Sequence, residues 1–258
     1  VNLAMKEFVE NPEIEIREVA SIEELQSCVE LQRKVFGLPD IEISPVRHLI
    51  VTKSAGGFTL AAFHEDKIIG FVLSVPMFKG EQRALYSHMT AVDPKYQNLG
   101  IGAKLKWAQR EKALQQGITY IKWTFQPVQA RNAFFNLERL GAIVKHYVPN
   151  FYGTDYIFIE GKQAKYGLDS DRLFAEWFLE DSKVVALSKG QKHEETREIV
   201  REIQIPADWN ELLKQDPKRA IEEQNRIKRE FQEAFADGLI CRGFKRNDKN
   251  PRYLLFRD

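Results

Sequence analysis

The run Gln97-Asn98-Leu99-Gly100-Ile101-Gly102 constrains this chain more than any other six residues, because it stands where an apolar strand hands over to a helix. Val92-Asp93-Pro94 closes the strand. The stretch from Gly100 to Gln116 reads as a helix ended by Gly117, with Ile101, Leu105 and Ala108 at i, i+4 and i+7 on one face. Glycine at the mouth of a helix permits a backbone approach that a β-carbon would block. The first helical N–H groups lack intrahelical partners, and the aligned peptide dipoles add partial positive charge there. The turn therefore suits a phosphate or pyrophosphate, although an ordinary strand-to-helix turn could carry the same glycines. It is not a Walker loop, because no Gly-Lys-Ser/Thr follows. Nor is it the dinucleotide fingerprint, whose third glycine would fall at Leu105.

Around this turn the chain reads as alternating elements. Ile14, Ile16 and Val19 suggest a first strand, and Ser21 with Glu24 forms a capping box for a helix that Gly37 and Pro39 stop. Pro45 opens a short helix or loop. Gly57–His64 and Lys67–Phe78 read as a hairpin through Glu65-Asp66, followed by a strand at Arg83–Val92. Beyond the Gly117 stop come a strand to Phe125, a helix over Ala130–Leu140, and strands near Ile143–Tyr147 and Asp155–Glu160. A further strand is expected at Arg172–Leu179 and another at Arg197–Ile205. Helix starts are expected at Pro206 and at Asp216-Pro217, and a closing strand pair at Leu239–Phe244 and Tyr253–Phe256. Pattern alone supports an α/β or α+β chain with a hairpin.

The Q-x-x-G-x-G pattern, with its preceding strand and following helix, strand and helix, resembles the acyl-CoA-binding motif of the GNAT acyltransferase superfamily. The resemblance covers roughly Glu13 to Gly161 and is strongest from Ser87-His88-Met89 to Val148-Pro149-Asn150-Phe151-Tyr152-Gly153. It implies a GNAT-type mixed sheet flanked by helices as a catalytic domain over residues 1–161. Residues 162–258 follow as a smaller C-terminal α/β extension, an arrangement that resembles a bacterial subgroup. It implies a co-substrate, acetyl-CoA by default or another acyl-CoA. The amides around Leu99, Gly100, Ile101 and Gly102 would face the pyrophosphate, with Gln97 and Asn98 as polar edges. Thr90 and Val92 match the strand positions whose backbone pairs with the pantetheine arm. Asn132 resembles the pantetheine-binding asparagine of the family, though a first-turn polar residue would look the same.

Acyl transfer to an amine needs a neutral amine, a polarised thioester carbonyl and a proton for the leaving thiolate. Alternation places Tyr86, His88, Thr90 and Val92 on one face of their strand. In the family that register points a base at the acceptor. His88, with an ordinary pKa near ~6.5, is the candidate base, weighed against a histidine that is merely hydrogen-bonded in the sheet. The tyrosine that many members place four residues before the helix-ending glycine is absent: Leu137 stands there, before Gly141. Asn136, Tyr147 and Tyr152 are the nearby alternatives, of which Tyr152, in a turn-rich segment, is the candidate acid; solvent is another source of the proton. The resemblance thus implies a CoA-dependent N-acyltransferase working by direct attack of a small-molecule amine or amino-acid acceptor. A succinyl-CoA-dependent amino-acid N-succinyltransferase is the alternative, with Arg47, Arg131 and Arg139 available for a free acyl carboxylate. A non-catalytic acyl-CoA-binding module is the reading from another class.

Composition narrows the rest. Thirty-eight basic residues against 37 acidic ones imply no broad attraction to nucleic acid or to an anionic membrane. The near-apolar run Ile68–Phe78 is too short for a membrane span, and the start of the sequence carries no signal-peptide pattern, so a cytoplasmic protein is expected. Cys28 and Cys241 form neither a disulfide framework nor a metal motif, and no metal is expected. The helix from Pro217 to Ala236 would build a homodimer interface or wall the acceptor pocket.

Overall fold

The computed structural model describes residues 13–155 and 166–258. The strand expected at Asp155–Glu160 and the expected boundary at 161/162 lie outside the described residues, apart from Asp155 itself. By compactness the chain forms two units, the first running to Val75 and adding His88–Glu111, the second holding Pro76–Ser87 and Lys112–Asp258.

The first unit contains β1 (Glu15–Glu18), α1 (Ile22–Phe36), α2 (Val46–Ser54), β2 (Phe58–His64), most of β3 (Lys67–Lys79), the end of β4 (Gln82–Val92) and most of α3 (Ile101–Gln115). Its strands lie in the order β1-β2-β3-β4. Ser21 and Glu24 make the expected capping box on α1, and Gly37 ends that helix in the left-handed region at φ 60°. Glu65 and Asp66, at φ 47° and 61°, form the two-residue turn that pairs His64 with Lys67; positive φ at both central positions matches the twist of the strands it joins. Val19, Cys28, Leu31, Leu49, Ala61, Phe63, Phe71, Leu73 and Ala91 make the core. Gly70 marks where α3 lies closest to the sheet: a Cβ there would sit 3.0 Å from the Ala91 carbonyl oxygen and 3.2 Å from Leu105 Cδ1.

In the second unit, the first half of β4 pairs in parallel with β5 (Tyr120–Phe125), Leu85 opposite Ile121. The expected helix over Ala130–Leu140 divides into α4 (Ala130–Phe134) and a wider π turn at Phe135–Arg139, closed by a bond from the Leu140 N–H to the Phe135 carbonyl. That turn brings Asn136 and Leu137 inward. β6 (Ile143–Val148) follows, and β7 (Arg172–Phe178) lies between β5 and β6, antiparallel to both. The sheet continues through β9 (Ile240–Lys245) and β10 (Arg252–Phe256) to β8 (Arg201–Gln204). Trp177, fully buried, packs edge-on against Trp123 at 5.8 Å and donates from its indole N–H to the Leu140 carbonyl.

Three helices complete this unit. α5 (Ser182–Ser188), capped by Asp181, has no counterpart among the sequence expectations. α6 (Trp209–Gln215) is capped by Asp208 rather than opened by Pro206; the Asp208 carboxylate accepts the free N–H of Glu211, a role proline cannot fill. α7 (Pro217–Ala236) starts as expected at Asp216-Pro217 and buries Ala220, Ile227, Phe231 and Ala234 on one face. Cys28 and Cys241 are buried and free, and burial pushes the Cys28 thiol up to about 12, so both act as small core residues.

Candidate active site

The turn after β4 is held by its neighbours within the first unit. The Asp93 N–H donates to the Ile69 carbonyl, and the Asp93 carboxylate accepts from Lys34 of α1 at 2.6 Å and from the Lys95 N–H at 3.0 Å. Partial burial pushes that carboxyl up, but these donors outweigh it and hold its pKa below the ordinary value. Tyr96 meets His64 Nδ1 at 3.3 Å. The Gln97 amide donates to the Val92 carbonyl at 3.1 Å, so here Gln97 braces the turn to the strand.

Past this brace the chain opens. Asn98, Leu99 and Gly100 are exposed, with Asn98 at φ 70° and Gly100 at φ 77°, while Ile101 anchors the helix in the core at 1% exposure. A Cβ on Gly100 would find nothing within 4 Å, and one on Gly102 would come no nearer than 3.9 Å to Val92. Left-handed backbone, open space and the start of a 15-residue helix together suit an anionic group such as a pyrophosphate.

β4 shows the expected alternation. Leu85, Ser87 and Ala91 are buried, whereas Tyr86, Thr90 and Val92 are half-buried and His88 is exposed. His88 Nε2 lies 3.3 Å from the Ser44 hydroxyl, and the His48 ring stands edge-on to it at 5.9 Å. Although the residue is exposed overall, desolvation by the protein atoms around its ring lowers its pKa, with repulsion from His48 second. Ser44 is itself held: the buried Gln32 amide donates to its carbonyl at 3.1 Å and accepts its N–H at 3.0 Å. Sequence reading singled out none of Gln32, Ser44 and His48. Only the helix-capping proline at position 45, which sets the entry to α2, hinted that this segment is fixed.

Tyr152 and Asn132 belong to the second unit. Tyr152 is 40% exposed; its N–H donates to the Ser170 hydroxyl at 2.7 Å, and the Arg172 guanidinium lies 5.0 Å from the centre of its ring. Burial pushes the Tyr86 hydroxyl up to about 12, with Thr124 and Tyr152 as its polar neighbours. Tyr147 donates to Asp171 at 2.6 Å, and burial, then that carboxylate, raises its pKa. Leu137 is fully buried, and the neighbouring Asn136 accepts the Trp123 indole N–H, so both are core residues. Asn132 is exposed at the third position of α4, two residues past Ala130. Arg47, Arg131 and Arg139 are likewise exposed. Among the described residues no group of three or more His, Cys, Asp or Glu side chains could hold a metal, and no helix is long and apolar enough to cross a membrane.

Residues 23–142 match the family described as the acetyltransferase (GNAT) family. Among solved structures, the chain is similar to the ribosomal-protein-S18-alanine N-acetyltransferase of Escherichia coli, at 15% identity and a TM-score of 0.50, over 64% of this chain and 93% of that one. It is also similar to yncA of Salmonella typhimurium, solved with acetyl-CoA, at 15% identity and a TM-score of 0.51, over 66% and 96% of the two chains. At these identities the likeness concerns the fold: a mixed sheet flanked by helices. No curated protein matches the chain. The match of residues 23–142 to the acetyltransferase (GNAT) family, together with the shared fold, supports an acyltransferase enzyme that uses acyl-CoA.

Proposed function

We propose that this enzyme moves an acetyl group from acetyl-CoA to a small-molecule amine or amino acid by direct attack of the amine nitrogen on the thioester. The observation that carries this reading is His88: a histidine with lowered pKa on the open face of β4, with Ser44 and His48 against it. A depressed pKa keeps the imidazole neutral, and so able to take a proton, at ordinary pH. The amine nitrogen bonds to the acyl carbon, the carbon–sulfur bond breaks, and the proton lost by nitrogen goes to His88. The thiolate takes its proton from Tyr152 or from solvent, which is feasible for a thiol of ordinary pKa ~8.5.

For the co-substrate, the N–H groups around Leu99–Gly102 receive the pyrophosphate, and the Thr90 and Val92 backbone, with Asn132, serves the pantetheine arm, as the family resemblance implies. The Gln97 amide, donating to the Val92 carbonyl, braces the end of that strand beside the turn. Succinyl-CoA remains the competing donor. The three arginines offered for a succinyl carboxylate all lie exposed, which favours the acetyl donor. Incubation of the purified protein with acetyl-CoA or succinyl-CoA and a panel of primary amines and amino acids, read by thiol release, tests the reading. Faster release with acetyl-CoA in the presence of one amine class is the expected result. Amine-dependent release with succinyl-CoA alone rejects the acetyl donor, and none with either donor rejects the reading outright.

A further inference from the structure

We propose that Gln32 and Ser44 are positioning residues for His88, holding its imidazole as the Nε2–H tautomer so that the Nδ1 lone pair receives the proton of the acceptor amine. The inference rests on the reading of His88 as the base. Gln32 is 1% exposed on the inward face of α1, where an aliphatic residue would pack without any need for partners. Its amide instead engages the N–H and the carbonyl of one residue, Ser44, at 3.0 and 3.1 Å. Both polar groups of that backbone position are thereby satisfied by a side chain anchored in a helix, in a segment between a short 3-10 turn (Asp40–Glu42) and α2.

Fixing Ser44 fixes its hydroxyl, 3.3 Å from His88 Nε2. A hydroxyl can donate or accept, so the direction of this bond decides which ring nitrogen is free. If Ser44 donated, Nε2 would hold that bond with its lone pair and Nδ1 would carry the hydrogen, leaving no free lone pair on the ring. With Ser44 as acceptor, Nε2–H is tied down and Nδ1 is open. Only the second arrangement makes His88 a ready base. This is the logic of a base oriented through its other nitrogen, with a neutral hydroxyl in place of a carboxylate. A neutral partner does not raise the imidazole pKa as a carboxylate would. It is therefore compatible with the lowered pKa set by crowding and by His48, the titratable side chain placed against the ring.

The chain has five histidines, so nitrogen-15 labelling of histidine gives a spectrum simple enough to read each imidazole, with His88 assigned from its loss in His88→Gln. The expected wild-type signal for neutral His88 is the Nε2–H form. Ser44→Ala should convert a measurable share to Nδ1–H, Ser44→Thr should restore the wild-type pattern, and Gln32→Leu should reproduce the Ser44→Ala change. An Nδ1–H wild type, or unchanged His88 shifts in Ser44→Ala, overturns the proposal. Ser44→Ala removes a single oxygen, so the test stands even where Gln32→Leu fails to fold. Rates with acetyl-CoA and whichever amine of the panel supports thiol release provide the second arm. Ser44→Ala and Gln32→Leu should each lower kcat about tenfold, as loss of one neutral hydrogen bond would, with KM for acetyl-CoA unchanged. In a His88→Ala background neither should lower it further. Additive losses overturn the positioning role while leaving His88 as base. An unchanged rate in His88→Ala overturns the base reading, and the positioning role falls with it; the tautomer arm, which needs no turnover, reports the Ser44 contact separately.

Discussion

The Gln97–Gly102 turn draws what it offers a ligand from six consecutive residues, mostly from their backbone, whereas His88 meets its hydroxyl partner across 44 positions of chain and entirely through side chains. Both lie in the first unit. The turn works through N–H groups and dihedral angles, so most side-chain changes leave it intact and a β-carbon in the wrong backbone region damages it. The histidine cluster is the reverse: its backbone runs through strand, connecting loop and helix without left-handed residues, and what it offers lies in two rings and one hydroxyl. Damage to the turn should therefore appear in acetyl-CoA binding, and damage to the cluster in turnover.

His88→Ala offers the sharpest test of that division. Loss of a general base typically costs ~10²–10⁴-fold in rate. The expected outcome is a kcat reduced by that range with KM for acetyl-CoA changed less than threefold, measured by thiol release at saturating amine. A parallel loss of acetyl-CoA affinity would mean that the two regions form one functional element and that the contrast is false.

Gly100→Ala is the matching experiment on the turn. The space around Gly100 is open, so the substitution clashes with nothing; the cost lies in φ 77°, a region that disfavours a β-carbon by ~1–2 kcal/mol. An alanine that relaxes toward negative φ redirects the amides at the start of α3, and the expected result is a KM for acetyl-CoA raised about tenfold with kcat retained. Gly102→Ala is the control. Gly102 has no left-handed backbone, and its nearest neighbour would lie at 3.9 Å, so its KM should stay near wild type. Equal effects at the two glycines would show that side-chain bulk, not backbone geometry, governs this site.

The same contrast explains what could be read in the chain before its structure. The turn was legible because glycine, strand end and helix start announce themselves locally, and so were the Ser21–Glu24 box, the Glu65-Asp66 hairpin and the Asp216-Pro217 helix start. The mixed-sheet fold followed from the order of such local signals together with the family resemblance. The π turn at Phe135–Arg139 was not legible, because a wider turn leaves the helical apolar spacing almost unchanged; it is fixed by the packing of Leu137 and by the Asn136–Trp123 bond. Neither was the Gln32–Ser44–His88 chain, since a buried glutamine has the sequence appearance of a surface one. Lys106 makes the same point: on an amphipathic helix it reads as solvated, yet it is buried, donates to Gln109 at 2.7 Å, and burial lowers its pKa well below the lysine range.

Tyr152→Phe tests a smaller effect, between the two regions in character. As acid to a thiolate that solvent can also protonate, Tyr152 should contribute only a few-fold to kcat. Its ring contacts with Phe151 and Arg172 survive the substitution, which removes only the hydroxyl that faces Tyr86, and thermal unfolding of the variant separates any loss of stability from a loss of rate. A loss as large as that of His88→Ala would make the tyrosine an essential donor.

The smallest expected change comes from His48→Ala. His88 must be neutral to accept a proton, and its folded-state pKa lies below the ordinary value of ~6.5, so kcat/KM should rise with pH through an inflection under that value and then level off. Crowding is the larger cause of the depression and persists in the variant; His48 repulsion is the smaller and is removed. The inflection should therefore move up only slightly, and comparing both proteins with the same amine cancels the amine's own titration. The linked stability runs in the matching direction: a depressed folded pKa means that the unfolded chain binds the proton more readily. Stability is then fully present above the unfolded-state value and is lost as pH falls through the folded one. His48→Ala should soften that acid loss, as read by thermal unfolding between pH 7 and pH 5. An inflection that does not move would leave crowding as the sole cause of the shift and reduce His48 to a packing neighbour of the base.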